Sequence, residues 1–230
     1  MASEHRRSRR TDQRGEPSHY VVAEGPEVEF EPGSRRRVLK NRLGVRKKTE
    51  MDRIEFEALV AVQEQYLSRL GPHTRLTAEM LCRMHLDWLG KIYEWAGRYR
   101  TVDLAKGDFH WPPASRVSDS MDAFERGVLA RCTPCRPGPL VEVARRIAEV
   151  HAELLLVHPF REGNGRLARW VSDLMALQAD LPIPDYGFVG RDARKRRMAY
   201  LEAVRRGYVR EYAPLAVLFV EALERRLSDG

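Results

Sequence analysis

The sequence predicts a mainly helical domain carrying one small β-hairpin, and three observations lead there. Apolar residues recur at helical spacing through most of the chain from Glu50 onward. Residues 97–114 break that period with strand-like alternation around a Lys106-Gly107-Asp108 turn. No internal repeat of useful length is present, and 230 residues suit one ordinary domain with a tail.

Taken in order, residues 1–37 are rich in Arg, Glu, Pro and Gly with little periodic hydrophobicity. They read as a basic, mostly disordered tail, with residues 38–230 as the domain. Tyr20-Val21-Val22 is an apolar island in that tail, suited to a strand or an anchor. Met51, Ile54, Ala58, Leu59, Val62, Tyr66 and Leu70 form the stripe of a first helix, stopped by Gly71-Pro72. Thr77 is the N-cap expected for a second helix carrying Met80, Leu81, Met84, His85, Trp88 and Ile92. The hairpin is expected from alternation in Tyr99-Arg100-Thr101-Val102, the turn, and then Phe109-His110-Trp111. Helices resume at Val117–Leu129, Leu140–Val157, Arg166–Gln178, Ala193–Arg206 and Leu215–Leu227. Trp88, Trp95 and Trp170 are expected in the core.

Composition removes several function classes. Apolar residues make up 43% and charged residues 32%, values of a globular chain rather than a fibrous or disordered one. No apolar run approaches the roughly 20 residues that span a bilayer, and the basic start MASEHRRSRR lacks the apolar run of a secretory signal. A cytoplasmic protein is expected, with export as an effector left open. Three cysteines suit a reducing compartment, and Cys132-Thr133-Pro134-Cys135 lacks the second ligand pair of a zinc site, so it reads as a loop. The net charge of +7 invites a nucleic-acid reading, but its distribution weakens that reading. Residues 1–48 hold 13 Lys/Arg against 7 Asp/Glu, and the remainder 27 against 26, so the basicity belongs to the tail. A solvated tail is favoured over a nucleic-acid arm, and the Arg194-Lys195-Arg196-Arg197 run reads as solvated helix charge.

The chemistry lies in His158-Pro159-Phe160-Arg161-Glu162-Gly163-Asn164-Gly165-Arg166. Pro159 forbids continuation of the preceding helix, so His158 is held at a helix end beside a loop. Gly163 and Gly165 let a ligand reach the backbone, and the next helix offers free N–H groups and the positive end of its dipole to an anion. Glu162 is a hard oxygen ligand suited to Mg²⁺. Arg166 and Arg169, one turn apart, suit phosphate oxygens, and His158 can take a proton from an attacking hydroxyl near neutral pH. Arg161 has no role in this set and is expected to be solvated. His151 reads as a packed or hydrogen-bonded helix residue, since HAELLLVH is not the HExxH zinc pattern.

HPFREGNGRLAR resembles the HPFx(D/E)GN(G)RxxR signature of the Fic family, and the likeness extends over residues from about 40 to 220. The resemblance implies a mainly helical Fic fold with the hairpin as a target-docking flap. It implies a protein adenylyltransferase that moves AMP from ATP onto a Tyr, Thr or Ser hydroxyl of a target protein. His158 would be the general base, and Glu162 would bind Mg²⁺ bridging the α- and β-phosphates. Gly163, Asn164 and Gly165 would form the anion hole, with Asn164 touching the α-phosphate, and Arg166 and Arg169 would hold the β- and γ-phosphates. Phe160 would be the buried aromatic that fixes the loop, and Tyr200 would line the adenine pocket. Lys106, Gly107 and Phe109 would lie in the flap, which adds an extended target segment as a strand.

Two other functions compete with this one. Relatives of the Doc type act as kinases, but carry Ala and Lys where this chain has Gly163 and Gly165, so AMP transfer is favoured, with UTP or GTP use left open. A non-enzymatic nucleic-acid or partner-binding protein with a vestigial site has only the basic tail in its support. Many family members carry an inhibitory helix with (S/T)xxxE(G/N), whose Glu pairs with the second motif arginine. No Ser or Thr here is followed four positions later by Glu. Arg169 is thus expected to be unopposed within the chain, with a separate small antitoxin supplying the Glu. A divergent glutamate from the helix containing Glu55 and Glu57 is the competing account.

Overall fold

A computed structural model of the chain describes residues 27–228. The fold is mainly helical with a single two-stranded sheet among the described residues, as expected from the sequence. Its centre is α5 (Leu140–Val157), where Val143, Ala144, Ile147, Ala148 and Val150 have no exposed surface. A helix apolar on several faces must be enclosed, and α5 packs most extensively against α8 (Ala213–Ser228) and α6 (Asn164–Gln178). Trp88, Trp95 and Trp170 are all buried, as expected.

On the outer side α1 (Lys48–Arg69) packs on α2 (Ala78–Leu89). Thr77 is the N-cap read from the sequence: its hydroxyl oxygen accepts the Met80 N–H at 3.1 Å. A cap from outside the helix is added by Glu125, whose carboxylate accepts the Ala78 N–H at 2.7 Å. Thr77→Ala is expected to cost about 1 kcal/mol, read as a fall of about 2–4 °C in Tm for a domain of this size.

The helix expected over Val117–Leu129 begins as α3 (Val117–Phe124) but passes through a π-helical turn, Glu125–Leu129, into α4 (Ala130–Cys132). Apolar spacing cannot distinguish the two hydrogen-bond patterns. Cys132, the last residue of α4, and Cys135, in the loop that follows, are buried free thiols, and burial pushes Cys132 up to about 11, which leaves it inert.

β1 (Ala105–Lys106) and β2 (Phe109–His110) pair antiparallel, Ala105 opposite His110 and Lys106 opposite Phe109. Gly107 alone of the two loop residues has positive φ, the pattern of a type II′ hairpin turn. The alternating Tyr99–Val102 segment, expected to be the first strand, forms none. Its alternation reflects the separate burial of Arg100 and Val102, and the Arg100 N–H donates to Pro159 O at 2.8 Å instead of to a strand.

α7 (Ala193–Gly207) lies between α6 and α8 in the chain and packs on both α5 and α8. No described helix is long and apolar enough to cross a membrane. Tyr20-Val21-Val22 and the tail up to residue 26 fall outside the described residues. Residues 27–37, which composition assigns to that tail, are instead packed on the domain. Phe30 bridges Leu39, and Glu27, 4% exposed, accepts the Thr101 N–H at 2.9 Å. Arg161, expected in solvent, is 2% exposed and donates through Nε to Glu27 O at 2.6 Å. One charged residue in a loop carries no periodic signal of burial.

Candidate active site

The motif loop joins α5 to α6, and each of its residues is fixed by a specific partner. His158 closes α5 in the left-handed region (φ 50°, ψ 59°), its N–H bonded to Leu154 O at 3.0 Å. A non-glycine residue held there is strained, and such strain persists where surrounding contacts over-determine it. Phe160 is fully buried and stacks on His85, ring centroids 4.0 Å apart and 7° from parallel. His85 Nδ1 accepts the Gly97 N–H at 2.9 Å, so Nε2 carries the proton and donates to Glu162 O at 3.1 Å. Asn164 clasps the loop from α6: its Oδ1 accepts the Phe160 N–H at 2.9 Å and its Nδ2 donates to Phe160 O at 2.7 Å.

Arg100 fastens the loop to the flap. Its Nε donates to His158 O at 2.8 Å, Nη1 to Val102 O at 2.8 Å and Nη2 to Pro112 O at 2.5 Å. Planar fork donors suit three carbonyls that a lysine could not reach together.

These contacts decide the state of the His158 ring. Its Nδ1 lies 3.1 Å from Leu155 O, which can only accept, so Nδ1 is protonated and Nε2 keeps a free lone pair. The Trp111 indole covers the ring, centroids 4.1 Å apart, and its Nε1 donates to the same Leu155 carbonyl at 3.0 Å. Burial, foremost, with the Arg100 and Lys106 charges, lowers His158 to about 3 against a favourable effect of the Leu155 bond. The imidazole is therefore neutral at physiological pH.

His158, Gly165, Arg169, Tyr200, Lys106 and Phe109 line one cavity of about 380 Å³. Trp111, Leu155, Leu201, Val204, Arg205 and Tyr208 complete its walls, with Phe109 stacked on Tyr208 at 4.8 Å. Glu162, Gly163, Asn164, Arg166 and Gly107 are outside that lining. The two motif arginines diverge. Positions 166 and 169 are about 60° apart around a helix, enough for one to face α1 and the other the cavity. Arg166 donates to Glu55 at 2.6 Å and lies 3.6 Å from Glu162, while Glu55, buried in α1, also accepts the Tyr93 hydroxyl at 2.6 Å. Arg169 makes no ion pair among the described residues. Glu57, by contrast, is exposed and pairs with Arg53.

Glu162 is partly exposed, and its Oε1 accepts the Gly163 N–H at 3.0 Å. No cluster of three potential metal ligands occurs among the described residues. One carboxylate beside a helix N-terminus nonetheless fits Mg²⁺, which keeps several waters and takes few ligands from protein.

Sequence reading missed His85 and Arg100 as parts of this site, and it offered Glu55 to Arg169 where the structure pairs it with Arg166. Glu55 and His85 each sit on the buried stripe of a helix, and a titratable group there was the available signal. Arg100 gave none.

Two buried histidines and the half-buried His158 have a consequence for stability. His85, His151 and His158 are lowered to about 4, 3 and 3, mainly because burial opposes charge. Between those values and about 6.5 the unfolded chain binds more protons than the folded one. Stability should therefore fall as pH drops below about 6.5 and keep falling towards 3. Denaturant midpoints measured from pH 7 to 4 check this, a flat profile being the contrary result.

Residues 75–176 match the Fic/DOC family, and that span holds the flap, α5, the whole motif loop and most of α6. The protein adenylyltransferase VbhT of Bartonella schoenbuchensis is 29% identical over 132 residues, 57% of this chain and 27% of that protein. The probable protein adenylyltransferase Fic of Salmonella typhimurium is 28% identical over 147 residues, 62% of this chain and 69% of its own length. Among solved structures, the N-terminal Fic domain of an effector from Bartonella sp. AR 15-3 aligns with TM-score 0.69 at 20% identity, over 90% of this chain and 95% of that one. BepC of Bartonella tribocorum with bound AMPPNP aligns with TM-score 0.62 at 22% identity, over 80% and 91%. At these identities the structures speak for the fold. The residues matched to that family do not complete the cavity by themselves: Tyr200, Leu201, Val204, Arg205 and Tyr208 come from α7 and the turn after it, beyond the matched span.

Proposed function

We propose that the protein transfers AMP from ATP to a hydroxyl side chain of another protein. The observation that carries this reading is a neutral His158 with Nε2 free, in the same cavity as Arg169, with which no described carboxylate forms an ion pair. The target oxygen attacks the α-phosphorus as Nε2 takes its proton. The bond from that phosphorus to the bridging oxygen breaks, and pyrophosphate leaves. Arg169 and the α6 N-terminus receive phosphate charge, and Glu162 would hold Mg²⁺, which would supply further charge neutralisation. Asn164 acts through the loop: with its amide clasping Phe160, its contribution to an anion is the backbone N–H. Arg166, bound to Glu55, braces α6 against α1 unless a ligand displaces it. Lys106, Gly107 and Phe109 form the flap edge against which a target segment would pair, and the Tyr200 ring would face adenine. The names of VbhT, a protein adenylyltransferase, and of the Salmonella Fic, a probable one, support the same activity.

Because Glu55 is engaged with Arg166, it does not act on Arg169, and a small partner protein supplying a glutamate to Arg169 is the regulation this favours. Free thiols suit work in the cytoplasm. Incubation of the purified protein with α-labelled ATP and cell extract is the direct test. Label on a protein band that disappears with His158→Ala is expected; no label, or equal label in the variant, counts against the reading.

A further inference from the structure

Behind Arg169 runs a buried chain of polar groups that the transfer step does not use. Its donors can be assigned from the far end. Ser172 Oγ donates to Ala168 O at 2.9 Å, so towards His151 Nδ1, 2.8 Å away, it can only accept. With its proton on Nδ1, His151 presents Nε2 as an acceptor, and the Tyr200 hydroxyl 2.7 Å away must donate to it. The Tyr200 hydrogen thus points inward, which leaves its oxygen as an acceptor on the wall of the cavity that it shares with Arg169, whose charge acts on it. His151 has no exposed surface and burial keeps it neutral, so the direction of the chain does not reverse near pH 7.

The other neighbours of Arg169 are weak holders. The Phe188 ring lies 5.8 Å from its guanidinium, and Asp173, one turn along α6, is bonded to the Tyr186 hydroxyl at 2.9 Å. Burial also raises the Asp173 carboxyl to about 7. A cation oriented by neutral acceptors keeps its charge for a ligand, whereas a carboxylate at the same place would cancel it.

We propose that His151 and Tyr200 are positioning residues that aim Arg169 into the cavity and so set the preference for nucleoside tri- and diphosphates over monophosphates. This rests on reading Arg169 as a ligand of the distal phosphates. Neither residue touches the reacting atoms.

The test is calorimetric titration of the full chain with Mg·ATP, Mg·ADP and AMP. Tyr200→Phe removes one oxygen and keeps the ring, so contacts to a base persist. It should weaken ATP and ADP binding about tenfold, the scale of a lost polar interaction with a charged group, while AMP affinity changes less than about twofold. His151→Leu, which leaves Tyr200 in place, should act in the same direction, and His151→Gln should recover most of the loss. If Tyr200→Phe does not fold, as judged by thermal unfolding, the His151 pair decides alone. Wild type that binds no Mg·ATP overturns the phosphate reading and this inference with it. Wild-type binding, with ATP and AMP affinities falling together or not at all in the variants, overturns the inference alone.

Discussion

His158→Asn is expected to lower the transfer rate at saturating ATP by about 10²- to 10⁴-fold, the range for loss of a positioned general base, with little change in Mg·ATP affinity. Asparagine is the informative replacement because it tolerates the left-handed backbone that position 158 adopts, so loss of the base is not confounded with refolding of the loop. The same ring makes a second demand. An unperturbed histidine would lose its free base below about pH 6.5. Burial lowers His158 to about 3, so its base form persists throughout the mildly acidic range. The rate at saturating ATP should stay level from pH 7.5 to about 5.5, any earlier fall following unfolding rather than titration of the base. Saturation matters because Asp173, raised to about 7 on the Arg169 side, can alter nucleotide affinity in that window. An acid limb centred near 6.5 in protein shown to remain folded would contradict the environment described for His158.

The fold was legible in the sequence wherever one face of a helix had to be buried. Leu140–Val157 was read to the residue because apolar positions fill it between Pro139 and His158-Pro159. The following helix begins two residues before its expected start, at Asn164, because glycine and asparagine at a helix entrance look like loop in one dimension. The motif told which residue types meet in the site but not which way each would face. Spacing placed Arg166 and Arg169 together on one face, yet the choice between phosphate and Glu55 is made by α1, more than a hundred residues earlier. Asn164 is similar: its type suits an anion, but both ends of its amide fit the Phe160 backbone first. Tyr200 was read from its place after the motif, and its partner His151 was rightly read as a bonded core residue. The link between them is a tertiary contact across 49 positions that no local pattern encodes.

The two motif glycines should separate under the same substitution. Gly163 stands at φ +84°, and a Cβ there would meet Trp88 Cζ3 at 2.8 Å. Trp88 cannot yield easily: it is 1% exposed, its Nε1 donates to Glu55 O at 2.8 Å, and Arg166 lies over its ring at 4.7 Å. Gly163→Ala must therefore move the loop. It should cost about 2–4 kcal/mol from the left-handed backbone and the overpacking combined, and transfer should fall by about 10²-fold or more because His158 and the α6 N-terminus shift relative to each other. Gly165 has no such wall. A Cβ there has Arg169 Nη1 as its nearest neighbour at 3.8 Å, an ordinary contact, and the residue lies inside a helix, where alanine is favoured by up to about 1 kcal/mol. Gly165→Ala should leave Tm unchanged or slightly raised. Because Gly165 lines the cavity, its added methyl should instead raise KM for ATP by keeping phosphate from the backbone. Steady-state kinetics and thermal unfolding on the two variants thus distinguish a glycine required by the protein from one required by its ligand. Equal ATP affinity in Gly165→Ala and wild type would mean that the phosphates do not approach α6 at that amide.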